Sequence, residues 1–159
     1  MGTWSSAATL DASPERVLSV LTEPDCCVRW SPVPFELRQL DGSRLKTGSR
    51  GRLGGSLVGR KVDFELEILR ADRQRLELRA RGLVKIEARY EVRPAGDITV
   101  LRANVSVMPG PGLLGHLAAC AADALLAAGA LDQALQAIAG EVARSQPRHA
   151  RGRVTLAAA

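Results

Sequence analysis

Aromatic residues are scarce in this chain of 159 residues, at 3% of the sequence, and no long apolar run is present. A platform that stacks nucleic-acid bases needs several aromatic side chains. The net charge of +5 therefore does not by itself indicate a nucleic-acid partner. A membrane-spanning helix needs about 18 consecutive apolar residues, and residues 1–4 lack the basic and apolar segments of a secretory signal. We expect a soluble protein that binds no nucleic acid and spans no membrane.

Cysteine is also rare, and its spacing excludes the common cysteine-based sites. Cys26 and Cys27 are adjacent and Cys120 is remote, so neither a zinc motif nor a disulfide framework is indicated. The sequence motifs of phosphate-binding loops, dinucleotide-binding folds, zinc proteases and serine hydrolases are absent as well. We predict no metal, no cofactor and a reducing cytoplasmic location.

The N-terminal part predicts one strand followed by two short helices. Residues 4–10 alternate in the manner of a strand. Ser13 can cap a helix in which Pro14 occupies the first position, and Pro24 ends that helix. Residues 25–30 can form a second short helix before the prolines that follow.

From Phe35 to residue 108 the sequence has a period of two, with one apolar face and one charged face. This alternation predicts a six-stranded antiparallel meander that is solvated on one side. A single long helix of about thirty residues is predicted after Gly112, ending near Ser145 before Pro147. The sequence thus predicts one α+β domain over residues 1–145 and a basic C-terminal tail over residues 146–159.

The order of these elements resembles the START/Bet v 1-like superfamily, which has the helix-grip fold. Four local motifs, in this order, are similar to the bacterial polyketide cyclase/dehydrase-type members: Ala12-Ser13-Pro14-Glu15-Arg16-Val17, Trp30-Ser31-Pro32, Tyr90-Glu91-Val92-Arg93-Pro94-Ala95-Gly96-Asp97 and Met108-Pro109-Gly110. The resemblance implies a curved seven-stranded antiparallel sheet, one N-terminal strand plus the meander, with two short helices and the long C-terminal helix over a cavity. Known members include ligand carriers, aromatase/cyclases, hormone receptors and co-chaperone-like domains, so the fold does not choose the function.

The strand registers and the inward stripe of the long helix predict which residues line such a cavity. Small residues in the first half of that stripe leave space between the helix and the sheet. The predicted ligand-binding residues are Trp30, Phe35, Phe64, Leu66, Leu78, Ile86, Ala88, Leu101, Leu117, Ala121 and Ala124. The alternative is that these side chains simply fill the core.

Three polar residues are candidates for catalysis. Arg60 is in phase with the apolar face of its strand, and a guanidinium there could bind a ligand carboxylate or enol; a sheet-edge arginine turned outward is the alternative. Tyr90 is also in phase and could donate a proton, unless it is a core tyrosine bonded to the backbone. His116 heads a stripe with Cys120 and Asp123 on the long helix, a spacing that also arises by chance.

Two functions fit these predictions. The first is the binding of a small hydrophobic molecule, polyketide-, lipid- or aromatic-like, in the cavity between the sheet and the helix. The alternative is a polyketide aromatase/cyclase-type enzyme in which Arg60, Tyr90 or His116 supplies acid–base catalysis. A third reading is an interaction domain with a filled core. The apolar residues Leu114, Leu125 and Leu126 also make a homodimer conceivable.

Overall fold

A computed structural model describes residues 2–31, 35–57 and 59–145. The described part of the chain contains seven strands and four helices. The strands are β1 (Gly2–Leu10), β2 (Phe35–Leu40), β3 (Arg50–Leu57), β4 (Arg60–Ala71), β5 (Arg75–Arg81), β6 (Val84–Ala95) and β7 (Ile98–Pro109). The helices are α1 (Pro14–Thr22), α2 (Pro24–Trp30), α3 (Gly112–Ala127) and α4 (Ala130–Arg144). The predicted tail, residues 146–159, lies outside the described residues.

The two short helices begin where the sequence predicts. The Ser13 side chain accepts a hydrogen bond from the backbone N–H of Arg16, and Pro14 starts α1. Pro24 likewise starts α2 directly after α1 ends. The buried Glu141 of α4 accepts a hydrogen bond from Arg29 of α2 at 3.1 Å, which joins the short helices to the C-terminal one.

All seven strands form one antiparallel sheet in the order β1-β7-β6-β5-β4-β3-β2. From β2 to β7 each strand therefore pairs with the next one along the chain. β1 pairs with β7 and forms the edge of the sheet opposite β2. Inward residues alternate with solvated ones along the strands, as the period of two predicts. The predicted α+β class with its seven-stranded sheet is confirmed.

The C-terminal helix is interrupted, which corrects the prediction of one continuous helix. α3 ends at Ala127, and α4 starts at Ala130 after a bend of 60°. Gly129 lies between them with a φ of 94°, a left-handed conformation that glycine adopts at little cost.

The break changes which helix residues face inward. In α4 the predicted stripe of Leu131, Leu135, Ile138 and Val142 is buried. In α3 the buried residues are Gly115, Ala118 and Ala119, not the predicted Leu117, Ala121 and Ala124. The prediction extended the phase of α4 backwards through a helix that does not continue.

No single helix in the described part of the chain has the length and apolar character needed to cross a membrane. Together α3 and α4 meet that length and composition, but as a pair bent by 60°.

Candidate functional site

An apolar cavity of about 240 Å³ lies between the sheet and the helices. The sheet side is built by inward residues of β2 to β7, and the other side by α2 and the junction of α3 and α4. Its helical wall includes Leu125 and Leu126 at the end of α3 and Ala130 and Leu131 at the start of α4. The 60° bend therefore positions two helix ends, instead of one straight helix, over the sheet.

Most of the predicted ligand-binding residues line this cavity. They are Trp30, Phe35, Phe64, Leu66, Leu78, Ile86 and Ala88. The six on strands owe their location to strand alternation, whereas Trp30 is the last residue of α2. Whether they contact a ligand stays a prediction.

Four other residues predicted for the wall lie elsewhere. Leu101 is fully buried nearer the opposite end of β7, where it pairs with Ala8 of β1 and Val92 of β6. Leu117 and Ala124 are exposed and Ala121 is only half-buried, because the face of α3 that contacts the sheet is the one carrying Ala118 and Ala119.

Trp30 and Tyr90 form an aromatic pair in the wall. Their ring centroids are 5.5 Å apart and the planes meet at 72°, an edge-to-face arrangement. The indole N–H of Trp30 is buried and makes no hydrogen bond of ordinary geometry with any described residue. It does lie close enough to the Cys27 thiol to oppose the rise of that thiol's pKa.

Burial determines the protonation states of Cys27 and Tyr90 in the cavity wall. It raises the pKa of Cys27 to about 12, and the neighbouring Cys26 adds to the effect. It also raises the pKa of Tyr90 well above its ordinary value, with a smaller contribution from Cys27. At neutral pH both groups are therefore uncharged, and Tyr90 can act only as a hydrogen-bonding hydroxyl.

The three candidate catalytic residues do not converge. Arg60 is exposed at the first position of β4, where no helix covers the sheet. His116 is exposed on α3, because the adjacent Gly115 occupies the buried face. Only Tyr90 reaches the cavity. On the predicted helical stripe, Asp123 instead accepts a hydrogen bond from Trp4 Nε1 at 3.1 Å.

Several wall residues were not predicted. Val62, Ala80, Val84, Val105 and Val107 lie on the same strand face as the predicted ones, so the alternation could have found them. Cys27, Ser31 and the residues flanking the helix break had no such signal, because their positions depend on how the helices pack. The additional lining residues are Leu37, Leu45, Leu53, Gly55, Ser56, Ala122, Leu125, Leu126, Ala130 and Leu131.

The described cavity wall contains no Asp, Glu, Lys, Arg or His. A larger groove, of about 510 Å³, lies on the solvated face of the sheet, but long charged side chains form it. One of its sides is the exposed ion pair between Arg38 and Asp63, at 2.8 Å. The internal cavity is the better candidate for a hydrophobic ligand because apolar atoms surround it.

Within residues 2–31, 35–57 and 59–145, no three His, Cys, Asp or Glu side chains come together as a metal site would require. The predicted stripe of His116, Cys120 and Asp123 thus does not form such a group.

Comparison with known proteins gives one family and many structures. The family model described as polyketide cyclase / dehydrase and lipid transport matches residues 1–143. No curated protein matches the chain.

Solved structures share the fold at low sequence identity. A START superfamily protein from Mycobacterium smegmatis has a TM-score of 0.64 and 21% identity, covering 91% of this chain and 99% of that one. TTHA0849 from Thermus thermophilus has a TM-score of 0.66 and 19% identity, covering 91% and 100%. DynU16, from the dynemicin biosynthetic locus, has a TM-score of 0.59 and 19% identity, covering 91% and 48%.

Proposed function

Because the chain belongs to the polyketide cyclase/dehydrase and lipid transport family of the START/Bet v 1-like superfamily, we propose that it binds a small, uncharged hydrophobic molecule in its internal cavity. The observation that carries the proposal is the cavity wall, which is apolar and, among the residues that the structure describes, holds no ionisable side chain other than the neutral Cys27 and Tyr90. A charged ligand buried there would find no partner for its charge.

The volume restricts the size of the ligand. The cavity measures about 240 Å³. A dry apolar cavity of ~150 Å³ can hold benzene, whereas drug-sized ligands occupy pockets of ~300–1,000 Å³. Of the predicted ligand classes, a compound with one or two rings therefore fits better than a long polyketide chain or a two-chain lipid.

The polar atoms of the wall suggest what distinguishes the ligand from a plain hydrocarbon. The Trp30 indole N–H is buried without an acceptor of good geometry among the described residues. A hydroxyl or carbonyl oxygen on the ligand would supply one, and a satisfied donor is worth more in an apolar site than in water. We therefore propose a ring compound that carries at least one uncharged oxygen.

The test compares a neutral ring compound with its charged counterpart. We expect 2-naphthol to raise the melting temperature of the purified protein, because a ligand at a hundred times its Kd adds about 2.7 kcal/mol to the free energy of unfolding. We expect 2-naphthoate, of similar size, to give no shift at the same concentration. Equal shifts from both compounds, or from neither, would contradict the proposal.

A matched pair of substitutions localises the binding. Ala88→Leu adds three carbon atoms to the cavity wall and should weaken 2-naphthol binding at least about tenfold. Ala143→Leu makes the same chemical change at an exposed position near the end of α4 and should leave binding unchanged. Isothermal titration calorimetry measures both.

Catalysis of the cyclase type stays a prediction. Of the three candidate catalytic residues only Tyr90 lines the described cavity wall, and its hydroxyl stays protonated at neutral pH. We also propose a cytoplasmic location, which the three unpaired cysteines support.

A further inference from the structure

The first turns of α3 expose leucines to solvent. Leu113, Leu114 and Leu117 are 76%, 49% and 53% exposed. The face with Gly115, Ala118 and Ala119 packs inward, so Leu113 and Leu117 lie on the opposite side of the helix and Leu114 lies at the boundary between the two faces. Exposed leucines in a contiguous group mark an interaction site more often than scattered ones do.

These leucines share one end of the molecule with two turns of the sheet. The backbone N–H of Gly110, just before α3, donates to the carbonyl of Leu83 in the β5–β6 turn at 3.0 Å. In an antiparallel meander alternate turns lie at the same end, so the β3–β4 turn at Gly59 is there too. We call this the leucine end.

Basic side chains flank both turns at the leucine end. Arg60 and Lys61 follow Gly59 and are exposed; Arg81 is exposed before the β5–β6 turn, and Lys85 follows it. Arg60, Lys61 and Arg81 form no ion pair within the described part of the chain.

Several carboxylates near this end already have partners: Glu87 pairs with Lys85 at 3.2 Å, and Asp123 of α3, beside Gly2, accepts a hydrogen bond from Trp4. The sequences of the two turns and of the β7–α3 connection contain none. Asp63, further along β4, is held by Arg38, and Glu65 lies opposite Arg81 in the sheet. Glu36, near the start of β2, is exposed.

The opposite end of the molecule carries charges of both signs. Each connection there has an aspartate, Asp11, Asp41, Asp72 or Asp97, and the same end also carries the exposed cations Arg44, Lys46 and Arg73. The leucine end differs in its apolar exposure, since its leucines are up to 76% exposed whereas Ile98 at the opposite end is 37% exposed.

The cavity opens toward the same end. Ser56, at the end of β3, and Leu125, near the end of α3, both line the cavity and are both exposed. Phe35, at the start of β2, faces Gly55 across the sheet and also lines it. A molecule entering from a surface that touches the leucine end would meet this opening.

We propose that the leucine end docks on a lipid bilayer that carries anionic phospholipids. Leu113, Leu114 and Leu117 would enter the interface between headgroups and acyl chains, while Arg60, Lys61 and Arg81 would contact the phosphates. The proposal goes beyond ligand binding and does not depend on it, because it stands on surface residues alone.

The test uses the full chain and two kinds of vesicle. We expect the protein to sediment with vesicles of phosphatidylcholine plus phosphatidylglycerol, and to stay in solution with vesicles of phosphatidylcholine alone. Raising the salt concentration should weaken binding, because it screens the attraction between the basic residues and the phosphates.

Two charge variants give a matched comparison. Lys61→Ser with Arg81→Ser removes two cations from the leucine end. This should lower the partition coefficient about 25-fold, since one basic residue near an anionic surface contributes about fivefold. Lys46→Ser with Arg73→Ser removes two exposed cations from the opposite end and should change binding far less.

The leucines have their own control. Leu113→Ser with Leu117→Ser should lower binding at least about tenfold, because both side chains lose their apolar contact with the bilayer. Ile98→Ser changes an apolar residue that is 37% exposed at the opposite end and should have little effect. Both variants alter exposed positions, and circular dichroism checks that they fold.

Three results would overturn the proposal. One is the absence of vesicle binding. Another is binding that survives both leucine-end variants, which would place the contact elsewhere, such as the basic residues after 145. The third is a dimer in sedimentation velocity that the leucine substitutions dissociate without any effect on vesicles, which would make a second copy of the chain the occupant. Unchanged 2-naphthol binding in these variants separates this test from that of the cavity.

Discussion

At the scale of single residues, the most informative group is the buried pair of Tyr90 and Cys27. Both are weak acids held in an apolar environment that disfavours their charged forms. Burial raises the pKa of Cys27 to about 12 from an ordinary value of 9.0, and it raises the pKa of Tyr90 in the same direction. Their titration is therefore linked to folding.

We expect the free energy of unfolding to fall as the pH rises above about 9. A raised pKa in the folded state means that the stabilisation is fully present below the unfolded pKa and is lost as the pH rises toward the folded one. For Cys27 that window runs from pH 9 to 12. Within its window each group lowers the stability by about 1.4 kcal/mol per pH unit. Urea unfolding at a series of alkaline pH values measures the slope.

Removing either acid should flatten the slope. Tyr90→Phe and Cys27→Ala each delete one titrating group, so each variant should lose stability less steeply than the wild type. Leu78→Ala serves as the control, because it removes a wall residue with no titrating group and should lower the stability by a similar amount at every pH. An unchanged slope in Tyr90→Phe and Cys27→Ala would show that these groups are not protected by burial.

At the scale of elements, two glycines of the C-terminal segment have opposite requirements. Gly129 adopts a left-handed φ of 94° at the break, with open space around it, and Gly140 lies inside α4. A side chain at the first position meets backbone strain, while one at the second meets only the tip of Arg144 at 3.8 Å.

We predict opposite effects from the same substitution. Gly129→Ala should lower the free energy of unfolding by about 1–2 kcal/mol, because an L-residue is strained in the left-handed region. Gly140→Ala should raise it by about 0.5–1 kcal/mol, since alanine is the better helix former. Thermal and urea unfolding measure both. A destabilising Gly140→Ala together with a neutral Gly129→Ala would contradict the assignment of the break.

The strands were predictable from the sequence, and the helix break was not. Alternation at 62–68, 76–80 and 84–92 fixes the inward face of each strand, because a shift of one residue would turn every apolar side chain outward. A lone glycine among alanines, as at Gly129, costs only about 1 kcal/mol within a helix. Tertiary packing of α3 and α4 decides whether the helix continues there, and the local sequence does not record it.

The same contrast applies to the candidate site, whose strand residues were predictable and whose helix residues were not. Phe64, Leu78 and Ile86 follow from strand alternation and line the cavity. Leu117 and Ala124 were predicted to face inward because the buried stripe of α4 was extended through the helix break, and they are exposed. Arg60 is in phase with its strand, but at the first residue of β4 no helix covers it, and only the assembled fold shows where the covered part of the sheet ends.

At the scale of the whole molecule, the core has two parts of different density. Beneath α1 and α4 the sheet is covered by large side chains such as Leu21, Leu135 and Ile138, each at most 1% exposed. Beneath the junction of α3 and α4 the cavity remains. Filling it should stabilise the unliganded protein at the expense of binding, which is why Ala88→Leu is an informative variant.

α3 and α4 bury different numbers of apolar side chains, and this difference has a consequence for how the molecule opens. α4 buries Leu131, Leu135, Ile138 and Val142, whereas α3 buries only Gly115, Ala118 and Ala119. A segment with few buried apolar contacts separates from the rest at lower free energy than the global unfolding requires. In hydrogen–deuterium exchange followed by mass spectrometry, amides of α3 should exchange well before those of α4, and 2-naphthol should slow the former most. Because α3 covers the cavity and also bears the exposed leucines, its local opening would give a guest molecule a route inward without disturbing the sheet.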